Sequence, residues 1–153
     1  MEHPKAIGDR STLAIMMALT DSGRDVFLPF GENTRVDLVI SDGDELARVQ
    51  CKTGRLRFGA VVFKVCSSYA HHLNPAALSR AYLGEVDYFA VYCSETSGVY
   101  LIPIEDLPLQ RQGSLRVDEP RNSQRRKIRF ASDYEIARVT ATPTGGLAAS
   151  AGA

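Results

Sequence analysis

Three polar side chains near the middle of the chain have the types and spacing that phosphate chemistry requires. Asp37 lies in one apolar run, and Gln50 and Lys52 lie in the next, on either side of Cys51. Carboxylate and amide oxygens are ligands that Mg²⁺ accepts, usually together with water and substrate oxygens. An ammonium group can offset the charge that develops when water attacks a phosphate. We therefore take Asp37, Gln50 and Lys52 as a candidate catalytic set.

A β-hairpin would bring this set together. The two apolar runs are separated by an Asp42-Gly43 pair, which favours a tight turn between strands. With these two residues at the turn, Asp37 faces Arg48, and the alternation of side chains places the rest of the candidate set on the same face. The competing interpretation is an ordinary exposed Asp37–Arg48 pair, which is worth about 0.2–1 kcal/mol and has no catalytic role.

The residues around the predicted hairpin resemble one nuclease family. Asp37, followed after twelve residues by Gln50-Cys51-Lys52, is similar to the PD-(D/E)XK nuclease signature with Gln in the middle carboxylate position. Further similar stretches follow in the order seen in the group I intron-associated PD-(D/E)XK endonucleases. Over about residues 7–137 these are Gly8–Ser11, Pro29–Asn33, Val36–Val39, Arg48–Gly54, Glu85–Tyr92 and Val99–Pro103.

This resemblance implies a fold, an activity and a set of site residues. The fold is of the α/β class, with a restriction-endonuclease-like core in which helices flank a central mixed β-sheet. The activity is metal-dependent hydrolysis of DNA phosphodiester bonds, with Mg²⁺, or alternatively Mn²⁺, as the cofactor. Position by position, Asp37 is the metal-binding carboxylate and Gln50 is the second ligand. The main-chain carbonyl of Cys51 completes the metal ligands, and Lys52 is the catalytic lysine.

The chain departs from the family pattern in its acidic residues. The first helix of such nucleases often supplies a glutamate, and the corresponding position here is Thr12. Because Gln50 is also neutral, Asp37 is left as the charged ligand, and one carboxylate holds Mg²⁺ weakly. The alternatives to full activity are therefore low activity, or loss of activity with DNA binding retained. Asp9 or Glu32 could compensate, although each fits a surface or capping role better.

The charge total conceals two basic blocks. The chain has 18 Lys+Arg and 18 Asp+Glu, for a formal net charge of +0 at pH 7. However, residues 48–84 contain six bases and no acid, and residues 111–129 contain seven bases against two acids. Arginine, which makes forked contacts with phosphate oxygens, supplies 14 of the 18 cations. The neutral total therefore excludes only a chain that is basic over its whole surface. The alternative to a nucleic-acid-binding surface is a set of solvated arginines on separate faces.

Side chains that contact DNA are expected in and beside these basic blocks. Cations there would neutralise backbone phosphates, and Asn or Gln between arginines can read base edges. The candidates are Arg55, Arg57, Lys64, Ser68, Tyr69, Arg121, Asn122, Gln124, Arg125 and Arg126. A flexible solvated loop is the alternative for residues 121–127. The His71-His72 pair with Cys66 lacks the usual spacing of zinc ligands.

The remaining sequence predicts one mixed domain over residues 1–139 and a disordered tail over residues 140–153. Asp87, at the start of a predicted strand, is either a structural cap or a residue near the site. The predicted helices are Ser11–Asp21, a short helix after Pro75, and Ala131–Val139. Besides the hairpin strands 36–40 and 46–53, strands are predicted at 26–28, 58–66, 88–93, 99–104, 115–117 and 128–130.

Composition excludes several classes of protein. With 44% apolar residues, the chain can bury a core, which argues against disorder throughout. No stretch approaches 18 uncharged apolar residues, so no membrane span is expected. The N-terminal residues lack the apolar run of a secretory signal, so a cytosolic location is expected. Three widely spaced cysteines do not suggest a disulfide framework, and Cys51 shares its face with the core, so it is interpreted as a buried hydrophobic residue.

Double-stranded DNA is the expected partner. Because one such site cuts one strand, cleavage of both strands predicts a homo-oligomer, a dimer or a tetramer, with two-fold symmetry. Three alternatives stay open. One is a nuclease-like DNA-binding protein with weak or no catalysis, and another is a Holliday-junction or repair-type nuclease. The third is a domain that binds neither metal nor nucleic acid.

Overall fold

The computed structural model describes residues 2–31, 34–65, 84–107, 111–119 and 128–138. Its α-helix, α1, spans Pro4–Asp21 and therefore begins well before the predicted Ser11. Proline suits the first turn of a helix, and the His3 side chain caps this turn by accepting the Lys5 N–H. Among the described residues, no helix is long and apolar enough to cross a membrane.

Eight strands form a mixed sheet beside α1. Within the described residues the strand order is β1-β2-β3-β5-β6-β8, and β4 and β7 extend from β3. β3 and β5 are parallel, whereas the other strand pairs described are antiparallel. The strands are β1 (Val26–Phe27), β2 (Leu38–Asp42), β3 (Glu45–Arg57), β4 (Ala60–Lys64), β5 (Tyr88–Cys93), β6 (Gly98–Pro103), β7 (Gln112–Arg116) and β8 (Glu135–Arg138).

The sheet divides along β3, the longest strand. Residues 49–54 pair with β5, and residues 55–57 leave β5 and pair with β4. Gly54 lies at the division, where a Cβ would come within 2.7 Å of Val61 Cγ1 and 2.8 Å of Val91 Cγ1. Only a residue without a side chain allows β4 and β5 to approach β3 this closely. Glycine therefore lets one strand belong to two parts of the sheet.

Each face of the sheet carries its own buried cluster. On one face, Ile15 and Leu19 of α1 pack against Leu38 and Val49. The opposite face buries a second cluster that includes Phe89. Burial of side chains of this size contributes about 1.5–3 kcal/mol each. The helical period of α1 and the two-residue period of the strands thus fix which side chains enter each buried cluster.

The turn of the β2–β3 hairpin differs from the predicted one. Asp42 pairs with Glu45, so Gly43 and Asp44 form the turn, and the prediction of an Asp42-Gly43 turn is wrong. Gly43 has a φ of +62°, which a glycine adopts without strain at the first central position of a type II′ turn. The pairing therefore shifts by an even number of positions, which leaves every side chain on its predicted face.

The predicted C-terminal helix at Ala131–Val139 is wrong. Residues 131–133 form a short 3₁₀ turn, and the chain then continues as β8 along β6. The Leu101 N–H of β6 donates to the Tyr134 carbonyl at the start of this pairing. The open edge of β6 offers a row of hydrogen-bond partners, and this outweighs the weak helix propensity of a segment with aromatic and β-branched residues.

Most other predicted strands are confirmed within the described residues. β5 has the predicted limits, β1 and β4 are shorter, β3 is longer, and β6 and β7 differ by a few residues. At 128–130 the predicted strand is reduced to a single bridge between Phe130 and Arg116. The short helix after Pro75 and the tail at 140–153 lie outside the described residues.

Candidate active site

Asp37 lies directly before β2 and is fixed against β3 by two hydrogen bonds. Its N–H donates to the Val49 carbonyl at 2.9 Å, and its Oδ2 accepts the Cys51 N–H at 2.8 Å. Val49 and Cys51 are the two neighbours of Gln50 on β3, so Asp37 lies directly across from Gln50. The prediction that Asp37 lies opposite Arg48 is therefore wrong. Because the offset is two residues, strand alternation still assigns Asp37 to the same face of the sheet as Gln50.

The Asp37 carboxyl lies in a partly desolvated environment. Burial raises the pKa of this carboxyl above its usual range, although the Cys51 N–H and the Lys52 ammonium act in the opposite direction. A buried carboxylate is stabilised by a further cation, which favours its ionised form. The site is therefore electrostatically suited to a metal ion.

Gln50 supplies a second oxygen without a partner. Its Oε1 is buried and makes no hydrogen bond within the described residues. Such an unpaired acceptor costs about 1–3 kcal/mol, so it calls for a partner. A hard divalent cation takes carboxylate and carbonyl oxygens, and Mg²⁺ needs only one or two carboxylates. The donor set of Asp37 and Gln50 thus fits Mg²⁺, and across the described ranges no cluster of three or more His, Cys, Asp or Glu offers a stronger metal site.

The Lys52 side chain occupies the same part of the sheet. Its Nζ lies 5.4 Å from the centroid of the Phe89 ring, a cation–π contact that favours the charged ammonium. Phe89 is fully buried and pairs with Gln50 across the parallel β3–β5 ladder. The ring therefore gives the Lys52 ammonium a fixed support beside the two oxygen donors.

Helix α1 contributes a threonine instead of an acid beside the site. The Thr12 hydroxyl donates to the Gly8 carbonyl one turn earlier and also contacts the Cys51 thiol. Burial, followed by the nearby Asp37 charge, raises the pKa of this thiol, as expected for a buried hydrophobic cysteine rather than a nucleophile. Asp9 is in the surface position favoured for it, because its exposed carboxylate pairs with Lys5 at 3.1 Å. Glu32 lies outside the described residues.

A cationic groove, which Lys52 helps to line, lies between α1 and strands β3, β4 and β7. Its volume is about 1060 Å³. Three predicted DNA-contacting residues, Arg55, Arg57 and Lys64, line this groove, and so does Arg116. Arg116 belongs to the second basic block and is not among the predicted DNA-contacting residues. Because β4 pairs with β7, the two basic blocks meet in one groove.

Arg48 does not pair with Asp37 as the hairpin prediction had it. Its Nε and its backbone N–H both donate to Asp87 Oδ2, at 3.2 and 2.7 Å, and Nη1 donates to the Gly84 carbonyl at 2.7 Å. The Arg48 guanidinium in turn holds the pKa of the Asp87 carboxyl below its usual range. Asp87 therefore ties the start of β5 to β3, which is the structural alternative proposed for it.

Several predicted site residues lie outside the described residues. They are Ser68, Tyr69, Arg121, Asn122, Gln124, Arg125 and Arg126. Cys66, His71 and His72, for which no zinc site is predicted, also lie outside the described residues. Their assignments stay predictions.

Comparisons with known proteins identify the family and the fold of this chain. Residues 2–137 match the family described as PD-(D/E)XK endonuclease. Among solved structures, the bacterial homing endonuclease I-Ssp6803I is 21% identical, with 88% of each chain covered and a TM-score of 0.63. The Holliday junction resolvase Hjc of Archaeoglobus fulgidus is 12% identical, covering 71% of this chain and 83% of that chain, with a TM-score of 0.44. No curated protein sequence matches significantly.

The likeness to the homing endonuclease confirms the predicted restriction-endonuclease-like fold, a curled mixed sheet with a helix on one face. The family match covers nearly the whole described chain, including the hairpin, the groove and the strands that support them. This chain therefore belongs to the PD-(D/E)XK endonuclease family, whose members are nucleases.

Proposed function

We propose that the chain is a Mg²⁺-dependent endonuclease that hydrolyses phosphodiester bonds in double-stranded DNA, with Asp37, Gln50 and Lys52 as its catalytic set. The observation that carries this proposal is the buried, unpaired Oε1 of Gln50 beside the Asp37 carboxylate. Lys52 connects these oxygens to a groove lined by arginines. Family membership supports the nuclease activity, and the site geometry supports the residues, the metal and the substrate.

Each residue of the catalytic set has a distinct role. Asp37 and Gln50 would hold the metal through side-chain oxygens, and the Cys51 main-chain carbonyl would be a third ligand. When bound, Mg²⁺ lowers the pKa of a coordinated water and polarises the phosphate. The Lys52 ammonium, supported by the Phe89 ring, faces the same space and offsets negative charge on the phosphate oxygens as water attacks.

The groove positions the DNA backbone for this site. Arg57, Lys64 and Arg116 come from three different strands and present their cations to one space. Contacts between such cations and phosphates supply affinity and register without reading sequence. Because one catalytic set cuts one strand, we propose that cleavage of both strands requires a two-fold homo-oligomer, a dimer or a tetramer.

Cleavage of supercoiled plasmid and of synthetic duplexes in Mg²⁺ tests this function. The wild-type chain is expected to cut, and Lys52→Ala and Asp37→Asn are expected to lower the rate by about 10²- to 10³-fold, as the loss of a charge-stabilising group does in other enzymes. Arg24→Ala is the matched control, because its guanidinium contacts Ser22 away from the groove. If the wild type cuts no better than Lys52→Ala on any substrate, the catalytic assignment is wrong.

The second candidate is a DNA-binding protein of this fold with weak or no catalysis. Thr12 and Gln50 favour it, because neither supplies the negative charge that would strengthen metal binding. The two candidates differ in their response to Gln50→Glu. In a functional metal site this change adds a charged ligand, so we expect a larger rise in thermal stability on addition of Mg²⁺ or Mn²⁺ than in the wild type. In a protein without a metal site, the metal leaves both variants unchanged.

A further inference from the structure

The tip of the β3–β4 hairpin carries an aromatic residue in a strained conformation. Phe58 has a φ of +50° and its side chain is 99% exposed, while the following Gly59 has a φ of +75°. Positive φ at both central positions is the geometry of a type I′ turn, for which Asn or Gly is the ordinary first residue. A bulky side chain in the left-handed region is a genuine outlier. The sequence thus places phenylalanine where it destabilises the folded chain and buries nothing.

This tip is held in place by neighbouring backbone. The Gly59 carbonyl accepts the N–H of Val117 at 2.8 Å and the N–H of Asp118 at 3.1 Å. The Asp118 carboxylate lies over Gly59 and leaves no room for a side chain there. The segment after β7 therefore fixes the turn, so the Phe58 ring projects from a supported position.

The surroundings of Phe58 indicate what its ring contacts. The ring lines the cationic groove, next to Arg57 and together with Lys64 and Arg116. An apolar protein surface brought to this ring would bury these cations without compensation, which is costly. A nucleic acid offers both things needed, because its phosphates are anionic and the faces of its bases are apolar. Aromatic and apolar side chains that enter a duplex in this way unstack a base step.

We infer that Phe58 stacks on a base at an unstacked step of the bound duplex and so sets the position of the DNA relative to Lys52. This inference rests on the proposed function, because it takes the groove to be the DNA site. Phe58 follows Lys52 by six residues, and strand geometry limits their separation to about 20 Å. At about 3.4 Å per base pair, the stacked base lies within about six base pairs of the phosphate at Lys52.

If Phe58 has this role, one substitution should raise the stability of the protein and lower its affinity for DNA. Phe58→Asn places a residue suited to positive φ at the turn, so the variant is expected to unfold at a higher temperature than the wild type. The same change removes the stacking ring, so affinity for duplex DNA is expected to fall by about 5- to 150-fold. Phe58→Trp keeps a stacking ring and is expected to retain affinity.

The experiment follows a fluorescent base in duplex DNA. Duplexes carry 2-aminopurine at successive positions within about six base pairs of the mapped cut, and they are mixed with the full chain in EDTA to prevent cleavage. We expect the wild type and Phe58→Trp to raise fluorescence at one position, and Phe58→Asn to leave it unchanged. Leu46→Asn is the matched control, because Leu46 is 65% exposed on β3 but does not line the groove.

Two outcomes overturn the inference while leaving the proposed function intact. In the first, Phe58→Asn binds and unstacks DNA as the wild type does, although Lys52→Ala still lowers the rate of plasmid cleavage. In the second, Phe58→Asn changes the sedimentation coefficient of the free protein without changing DNA affinity, which assigns the ring to a contact between copies of the chain. If the wild type neither binds duplex DNA at low salt nor cuts plasmid, the proposed function itself fails.

Discussion

Arg48 and Arg57 lie on the same strand, β3, and differ in what faces them. The Arg48 guanidinium donates to the Asp87 carboxylate and to the Gly84 carbonyl, which ties β3 to the segment before β5. Arg57 is exposed, lines the groove and forms no ion pair within the described residues. One arginine therefore holds the sheet together, while the other keeps its charge available to a ligand.

The division of the sheet at Gly54 produces this difference. Up to this glycine β3 runs beside β5, and the segments flanking β5 supply Asp87 at one end and Glu95 at the other. Beyond it, β3 pairs with β4, which brings Lys64 and, through β7, Arg116. The role of an arginine is thus decided by the strand that pairs beside it rather than by its sequence neighbours.

The strongest test of this contrast removes cations from the groove. Arg57→Ala combined with Lys64→Ala is expected to weaken duplex binding by at least about tenfold at low salt and to flatten the dependence of log K on log salt by about two, because two phosphate contacts are lost. Fluorescence anisotropy over a range of salt concentrations measures both quantities.

Arg48→Ala provides the matched control for this prediction. It removes the same charge from the same strand outside the groove, so the salt dependence of DNA binding should be unchanged. If Arg48→Ala flattens the salt dependence as much as a groove substitution does, the distinction between the two halves of β3 is wrong.

The common face of Asp37, Gln50 and Lys52 could be predicted from the sequence, because side-chain alternation along a strand does not depend on the exact turn. Their catalytic roles stay predictions. The turn was misplaced, yet the pairing shifted by an even number of positions, so Asp37, Gln50 and Lys52 kept their common face. The apolar clusters followed from the same alternation and from the helical period of α1.

Long-range pairing was not predictable in the same way. Arg116 reaches the groove only because β7 pairs with β4, about fifty residues earlier in the chain. Local signals carry no information about such a partner, and the same limitation explains why residues 135–138 follow the edge of β6 and do not form a helix. The strain at Phe58 was also hidden, because the turn type depends on the register of the strands that it joins.

A smaller effect is expected at the contact between Arg48 of β3 and Asp87. Asp87→Ala removes the acceptor of the Arg48 N–H, and it should destabilise the fold by about 1 kcal/mol, because a two-fifths exposed carboxylate gains only part of the value of a charged hydrogen bond. Chemical denaturation measures the change, and Asp87→Asn, which keeps an acceptor, should recover part of it. DNA affinity should be unaffected by either change.

The same contact makes a pH-dependent contribution to stability. The pKa of Asp87 is lowered in the folded protein, first by the Arg48 side chain, so this contribution is fully present above the pKa of the unfolded chain. It is lost as the pH falls through the lower, folded pKa, below the ordinary range of an aspartate. Unfolding of the wild type and of Asp87→Ala should therefore converge at acid pH. Parallel curves over that range would contradict this assignment.

The smallest expected effect concerns Arg55. Like Arg57 it lines the groove, and like Arg48 it faces an acid. It lines the groove, yet its Nη1 is 3.6 Å from Glu95 Oε1, and the other oxygen of Glu95 accepts the Leu56 N–H. Glu95→Gln keeps an acceptor for this N–H and removes the charge opposing Arg55, so duplex affinity at low salt should rise about two- to fivefold, as for an exposed ion pair. Glu85→Gln is the matched control, since it makes the same change of charge at an ion pair with Arg35 outside the groove. If both substitutions raise affinity equally, the gain reflects net charge alone. If only Glu95→Gln does so, the acid after β5 sets how much of the cationic end of β3 is available to DNA.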